Sequence, residues 1–489
     1  MLRFKRLLLC IGMLMQCSIL VCYANPVRTL SLEEAILLAI RENPNVKQAQ
    51  LSQVSEKYAL ELAQWQFKPH YTFTASRMTQ KNYEISEEEG YVTQNATGAG
   101  ASVSWLSPYG TKMSLSPTVN QSEHFHPGLT LEVMQPLLRG FGRPVVEASL
   151  QNAMDSQKIS RLNVESALRN SVTTVINAYL DVLAAQKNLS VDEKALQRAE
   201  VSVNQTRLFI KSGRKAGVEL VTVEADVANA KTRIENDKNG LDQARYALLA
   251  AIGIDPNTRI AFTSMDIPAL IKKYRIPGLE ESKKLSIEND MQYQADQITF
   301  EGAKKRSIIE AQDNTRWQLN LSGSAHAGDG TGDGPNAGLQ SLVNGVNQTN
   351  QVKLDLTIPI DDQQAKTALA NTKLALRQAT IALQQEKWGK ETSAINGWNS
   401  IFSAERALKF AENAEKLQQK TYDISFQKYS HGLIDSLQLQ SAQQQLVLSS
   451  QSLNMARINY LKALVNLDQM IGRTLETWKV EVRYGGEEI

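Results

Sequence analysis

The chain has 489 residues, enough for two or three ordinary domains. Its 53 Lys and Arg nearly balance 51 Asp and Glu, which excludes the basic signature of a nucleic-acid binder. A mean hydropathy of −0.32 with 6% aromatic residues excludes a bundle of membrane-spanning helices.

The chain opens with a basic "MLRFKR", an apolar "LLLCIGMLMQCSILV" and small residues before Asn25. This pattern predicts an export signal over 1–24, cleaved after Ala24. Two alternatives stay open: an uncleaved N-terminal anchor, and lipid attachment at Cys22, although Val21 stands where a small residue is expected. Cys10, Cys17 and Cys22 are the only cysteines, so the exported body carries none. Thiol catalysis, a disulfide frame and a zinc cluster are excluded with them.

A first repeat is predicted over 25–253. Ser31 with Glu34 forms a capping box that opens "LEEAILLAI". Strands alternating with period two follow between about 70 and 137: "HYTFTAS", "ASVSW" and "GLTLEV". The stretch "GASVSWLSPYGTKMSLSP" reads as an additional hairpin turning at Ser107–Gly110. A proline-free run then extends from Pro144 to Lys211 with apolar residues every three or four, as at Val172, Ile176, Tyr179 and Leu183. A run of about 67 residues would span roughly 100 Å, far beyond a globular helix, so it must pack lengthwise against other rods. A tip at 212–218 turns it into a return helix closing at "ARYALLAAIG".

A connecting segment is expected over 254–280, and a second repeat over 281–472. Strands lie between about 316 and 360, "WQLNLSGSA" and "VKLDLTIPI", joined by a long loop rich in Gly, Asn and Asp at 328–350. A second long helix runs from Asp361 to Tyr429, turns at 430–434 and returns through "ARINYLKALVNLDQMIG"; 473–489 is a tail. The halves match in order: Tyr71, Phe73 and Ala75 fall on Trp317, Leu319 and Leu321 at a shift of 246, and "EVMQPL" on "DLTIPI" at 223. The difference, 246 − 223 = 23 residues, is the length of the additional hairpin. Gly217 falls on Gly432 at a shift of 215, so both tips read as left-handed glycine turns.

Small polar side chains on the wet face of the strands suit a water-filled lumen, whereas an ordinary antiparallel sheet remains the simpler alternative. Four to six strands per chain cannot close a wide barrel, and open edges cannot face lipid. Several chains must therefore pool their strands. Together these marks resemble the TolC family of outer-membrane channel proteins: "SLEEAILLAIRENPNVKQAQ", "QPLLRGFGRP", "GLIDSLQLQSAQQQL" and the twofold repeat, over about 29–475.

The resemblance implies a mainly α fold with a β-barrel portion. Three protomers would share a 12-strand barrel in the outer membrane of a Gram-negative bacterium and a long antiparallel α-helical barrel across the periplasm. It implies a passive exit duct for an efflux pump or type I secretion system, whose tips dock on a periplasmic adaptor and an inner-membrane transporter. The docking turn maps onto Gly432, Leu433 and Ile434, and less closely onto Gly217, Val218 and Glu219. Tyr429 falls at the family's tyrosine position before the glycine, and Tyr429 and Gln438 are the candidates for constricting the pore. Glu224 and Asp226 read either as negative charge at the mouth or as solvated helix surface.

The remaining motifs point away from chemistry. "HFH" at 124–126 reads as a loop, "DGTGDG" at 329–334 as a flexible glycine stretch, and "GFG" at 140–142 as a strand-to-helix turn. No nucleophile–base pair stands out, and no enzyme, cofactor, metal or nucleic-acid partner is expected. The rival reading is a periplasmic or surface coiled-coil structural or adaptor protein.

Overall fold

The computed structural model describes residues 28–84, 90–121, 125–258, 260–263, 267–328, 335–345, 347–482 and 484. The export signal, Cys22, His124 and 329–334 lie outside the described residues. Strand β1 (Arg28–Leu30) leads into helix α1 (Leu32–Glu42). The Ser31 amide donates to the Glu34 carboxylate at 2.9 Å, and the Glu34 amide to Ser31 Oγ at 3.3 Å, which completes the capping box. Asn43 is extended, as a residue before proline must be, and ends α1 where Pro44 opens α2 (Pro44–Trp65).

Strands β2 (His70–Glu84), β3 (Gly90–Leu106), β4 (Lys112–Gln121) and β5 (Phe125–Pro136) follow. The additional hairpin thus exists, turning between Leu106 and Lys112. Phe125 and His126 begin β5 rather than sit in a loop. A short strand β6 (Ile260–Phe262) pairs in parallel with β1, and β7 (Gln318–Gly328) and β8 (Thr349–Thr357) complete one antiparallel sheet in the order β2-β3-β4-β5-β7-β8. The expected loop at 328–350 contains a helix, Pro335–Val343.

The registers place every odd residue of β2, β3, β4, β5 and β7, and every even residue of β8, on one face. That face carries Tyr71, Phe73, Val103, Trp105, Met113, Leu115, Leu129, Leu131, Leu321, Val352, Leu354 and Leu356. The other face carries Thr72, Thr74, Ser102, Ser104, Ser114, Ser116, Ser322 and Ser324, and Thr130 bonds His326 across it at 2.9 Å. Tyr71, Phe73, Val352 and Leu354 are exposed, although they form the apolar side. An apolar exterior backed by small polar residues is the alternation of a transmembrane barrel wall.

The helices repeat more regularly than the sequence suggests. The long helix α3 (Ala148–Lys211) is followed by α4 (Val218–Ile252), and α5 (Gln363–Ser430) by α6 (Ser436–Met470). A single turn at Arg143–Val146 precedes α3, so the run from Pro144 is broken once. Lys211 and Ser430 end the long helices 430 − 211 = 219 residues apart. The return helices close on Gly253 and Gly472, 472 − 253 = 219 apart, through the same pair of bonds. Ile254 N donates to Leu249 O and Gly253 N to Ala250 O; Arg473 N donates to Asp468 O and Gly472 N to Gln469 O.

The chain forms two compact units that do not follow the repeats. One holds residues up to 43, 174–273 and 411–458; the other holds 44–173, 274–410 and 459–489, the six-stranded sheet among them. Each draws on both repeats, and the boundaries near 173 and 410 fall inside α3 and α5.

Candidate functional site at the helical tips

Both long helices stop on the same turn. Arg214 N donates to Phe209 O and Gly213 N to Ile210 O; Leu433 N donates to Lys428 O and Gly432 N to Tyr429 O, all between 2.9 and 3.0 Å. This pairing closes a helix when the residue after its last turn is left-handed. Gly213 (φ 69°) and Gly432 (φ 77°) are those residues, two positions beyond Lys211 and Ser430. Gly217, expected to make the first turn, is instead the right-handed N-cap of α4 at φ −60°. The two glycines resemble each other in sequence, but only the position after the helix end demands φ > 0. Gly213→Ala and Gly432→Ala should each cost about 1–2 kcal/mol, whereas Gly217→Ala should be neutral or gain up to about 1 kcal/mol. Thermal denaturation of the three variants checks this; an equal loss at Gly217 contradicts it.

The turns are clasped together through Tyr429, which is 0% exposed. Thr206 Oγ1 donates to Ser202 O at 2.7 Å, leaving its lone pairs for the Tyr429 hydroxyl, which therefore donates to Thr206. Phe209 meets the Tyr429 ring edge-on at a centroid distance of 6.0 Å, and Tyr422, Leu439, Leu446, Phe426 and Ile434 complete the apolar cluster. The Lys215 ammonium lies 4.0 Å from the centre of the Tyr429 ring, pairs with Glu219 at 2.7 Å and donates to Ile434 O at 3.3 Å. Its side chain is 8% exposed, so this one cation joins the first turn, the start of α4 and the second turn in a nearly dry setting. Arg214 lies 5.2 Å over Phe209 and donates to His431 O.

The structure sorts the residues singled out from sequence. Val218 and Leu433 project freely, 73% and 74% exposed, and Val221 and Leu437 near the starts of the return helices are exposed as well. Ile434 packs inward and Glu219 is held by Lys215. Gln438 is exposed, while its amide is capped by Asp435 Oδ1 at 2.8 Å. Tyr429 is buried within the chain between the two turns, in contact with Thr206, Phe209 and Lys215. Glu224 pairs with Arg207 at 2.8 Å, and Asp226 is half-buried, its carboxyl pushed up by burial. Thr206, Phe209, Lys215, Val221 and Leu437 were not singled out. The Lys215–Glu219 spacing of four was the only signal for any of them.

A second polar cluster lies between helices of the same unit. Asp192 is buried and accepts from Arg233 Nε and Gln451 Nε2, both at 3.0 Å. Burial pushes the neighbouring Asp237 carboxyl up to about 6, reinforced by its hydrogen bond to Asp192 and that group's charge, with Arg233 opposing. A carboxyl held above its ordinary range favours the protonated fold, so its stabilising contribution is full at low pH and lost as pH rises through about 6. Asp237→Asn should therefore raise the melting temperature at pH 8 and barely change it at pH 4. Parallel pH profiles for variant and parent would contradict this. Among the described residues, no three His, Cys, Asp or Glu gather as metal ligands, and no helix is long and apolar enough to cross a membrane.

A two-faced sheet, combined with long antiparallel helices that end in clasped turns, defines a channel protomer of the outer-membrane type. The chain belongs to the outer membrane efflux protein family, whose model matches residues 110–254 and 307–473, one stretch in each repeat. It is an outer-membrane channel protein of efflux, extending into the periplasm, and not the free-standing coiled coil of the rival reading. In fold it is similar to the CmeC outer membrane channel of Campylobacter jejuni, at 14% identity over 91% of this chain and 86% of that chain, with a TM-score of 0.69. It is also similar to the open MtrE outer membrane channel of Neisseria gonorrhoeae (16%, 91% and 89%, 0.66) and to VceC of Vibrio cholerae (14%, 90% and 96%, 0.65). No curated protein sequence matches it.

Proposed function

We propose that three copies assemble into one duct that carries small molecules or proteins outward from an inner-membrane transporter, docking on a periplasmic adaptor through Val218, Val221, Leu433 and Leu437. The carrying observation is a set of apolar stripes left uncovered by the chain itself. Large exposed side chains recur every seven residues: Leu51, Tyr58 and Trp65 on α2; Leu374, Ile381 and Trp388, then Phe410, Leu417 and Ile424 on α5; Leu448 and Met455 on α6. A seven-residue spacing is the seam of helices that supercoil against neighbours, and stripes of this extent stay in water only when a partner covers them. Copies of the same chain supply that partner, and they also continue the open sheet. Specificity for cargo then belongs to the transporter and adaptor behind the passive duct. Electron microscopy of the detergent-purified protein tests this: a threefold particle is expected, and a monomer stable without detergent would overturn it.

A further inference from the structure

Six membrane-type strands in one chain change the barrel. The internal repeat shows where the surplus arises: β2 corresponds to β7, through Phe73 over Leu319, and β5 to β8, through Glu132 over Asp355. The β3–β4 hairpin is thus inserted between two strands whose counterparts in the second repeat follow one another directly. We propose that this hairpin is part of the barrel wall, and that three chains close an eighteen-strand barrel in which β8 of one copy pairs with β2 of the next. The count of three rests on the trimeric reading above.

Three features of the sheet carry this. First, the half of the hairpin nearest its turn shares the two-faced pattern: Ala99, Ala101, Val103, Trp105, Met113 and Leu115 continue the apolar face, and Ser102, Ser104, Ser114 and Ser116 the polar one, while Asn95, Thr97 and Gln121 lie beyond the apolar band. A hairpin folded into a lumen or lying in water has no use for that alternation. Second, among the described residues β2 and β8 each have one neighbour only, and edge amides and carbonyls cannot be left unpaired in lipid. The strands alternate in direction from β2 to β8, so β8 of one copy meets β2 of the next antiparallel, the pairing found throughout the sheet.

Third, the registers contain the stagger that closure needs. A line across the ladders from Tyr71 passes Val103, Leu115, Leu131 and Ala325 and reaches Asn350. Matching the lower ends of the apolar bands sets Leu356 of one copy beside Tyr71 of the next, 356 − 350 = 6 residues away over six strand steps. One residue of rise, about 3.3 Å, against a strand spacing of about 4.8 Å gives a tilt of about 35°, within the range of closed barrels. At that tilt eighteen strands enclose a backbone diameter of about 34 Å, against about 23 Å for twelve.

The same register places Thr72 opposite Asp355 on the lumenal side, which provides the test. Mild oxidation of the full-length Thr72→Cys/Asp355→Cys protein in membranes should give a covalent trimer on a denaturing gel, and neither single variant should. Spin labels placed singly at Ser102, Val103, Ser114 and Leu115 should alternate: 103 and 115 reached by oxygen in lipid, 102 and 114 by a water-soluble nickel complex. A trimeric mass in detergent with all four labels open to water would remove the hairpin from the wall while leaving the trimer standing. A trimer that never cross-links would overturn the β8–β2 closure, and a monomeric mass would overturn the trimeric reading as well.

Discussion

Charging both tips, with Leu433→Asp and Val218→Asp in one chain, is expected to abolish export while the oligomer still assembles in the membrane. Neither side chain supports the fold. Both are about three-quarters exposed, and neither belongs to the clasp of Tyr429, Lys215 and Thr206. Surface changes of this kind alter stability by roughly 0.5 kcal/mol or less. Docking is another matter. Burying a Leu or Val against a partner stabilises by about 1.5–3 kcal/mol, and a carboxylate at the same spot must be stripped of water without compensation. In the proposed trimer every copy carries both turns, so the loss would be repeated around the assembly. Drug susceptibility or secretion assays on the double variant, alongside its size in detergent, measure both halves of the expectation. Parental export would sink the docking surface; a failure to assemble would show that these residues serve the fold.

The second large effect concerns Tyr429. Tyr429→Ala removes the centre of the tip cluster and should cost about 3–5 kcal/mol, part of it the cavity and part the Lys215 ammonium left over empty space. Tyr429→Phe keeps the ring but leaves Thr206 without its donor, a loss of about 1–2 kcal/mol. Because the side chain packs within the chain, both variants should destabilise the tip in that order; if the tip constricts the duct, bilayer conductance would show this as more frequent opening. Thr206→Val exposes nothing new and strands the tyrosine hydroxyl, so it should reproduce the Tyr429→Phe effect. If Tyr429→Ala opens the channel while Thr206→Val leaves it unchanged, the tyrosine acts as a plug. The exposed Gln438 is the complementary case, since Gln438→Ala should alter conductance with no loss of stability.

Much of the fold was legible in local pattern because the pattern and the cause coincide. Ser31 and Glu34 cap a helix by their own side chains, and the hairpin turn follows directly from alternating residues on either side of it. The strand faces follow from period two once the ladder is known. The tips were less legible. Gly213 and Gly217 offer the same residue type four positions apart, and the choice between them is made by where α3 stops. A tyrosine near the end of a long helix looks alike whichever way it points; only packing against Thr206 and Phe209 decides that it faces inward. Lys215 gains its role from the second turn, more than two hundred residues away in the chain, which no local reading reaches.

The β3–β4 hairpin has one more implication. A chain that leaves the periplasm along β2 has to re-enter it along β5, so any enlargement between them adds strands in pairs. An odd addition would strand the next long helix on the cell exterior. If three chains close the barrel as proposed, each such pair widens the wall by six strands at once, so an inserted hairpin changes the pore calibre in a step rather than by degrees.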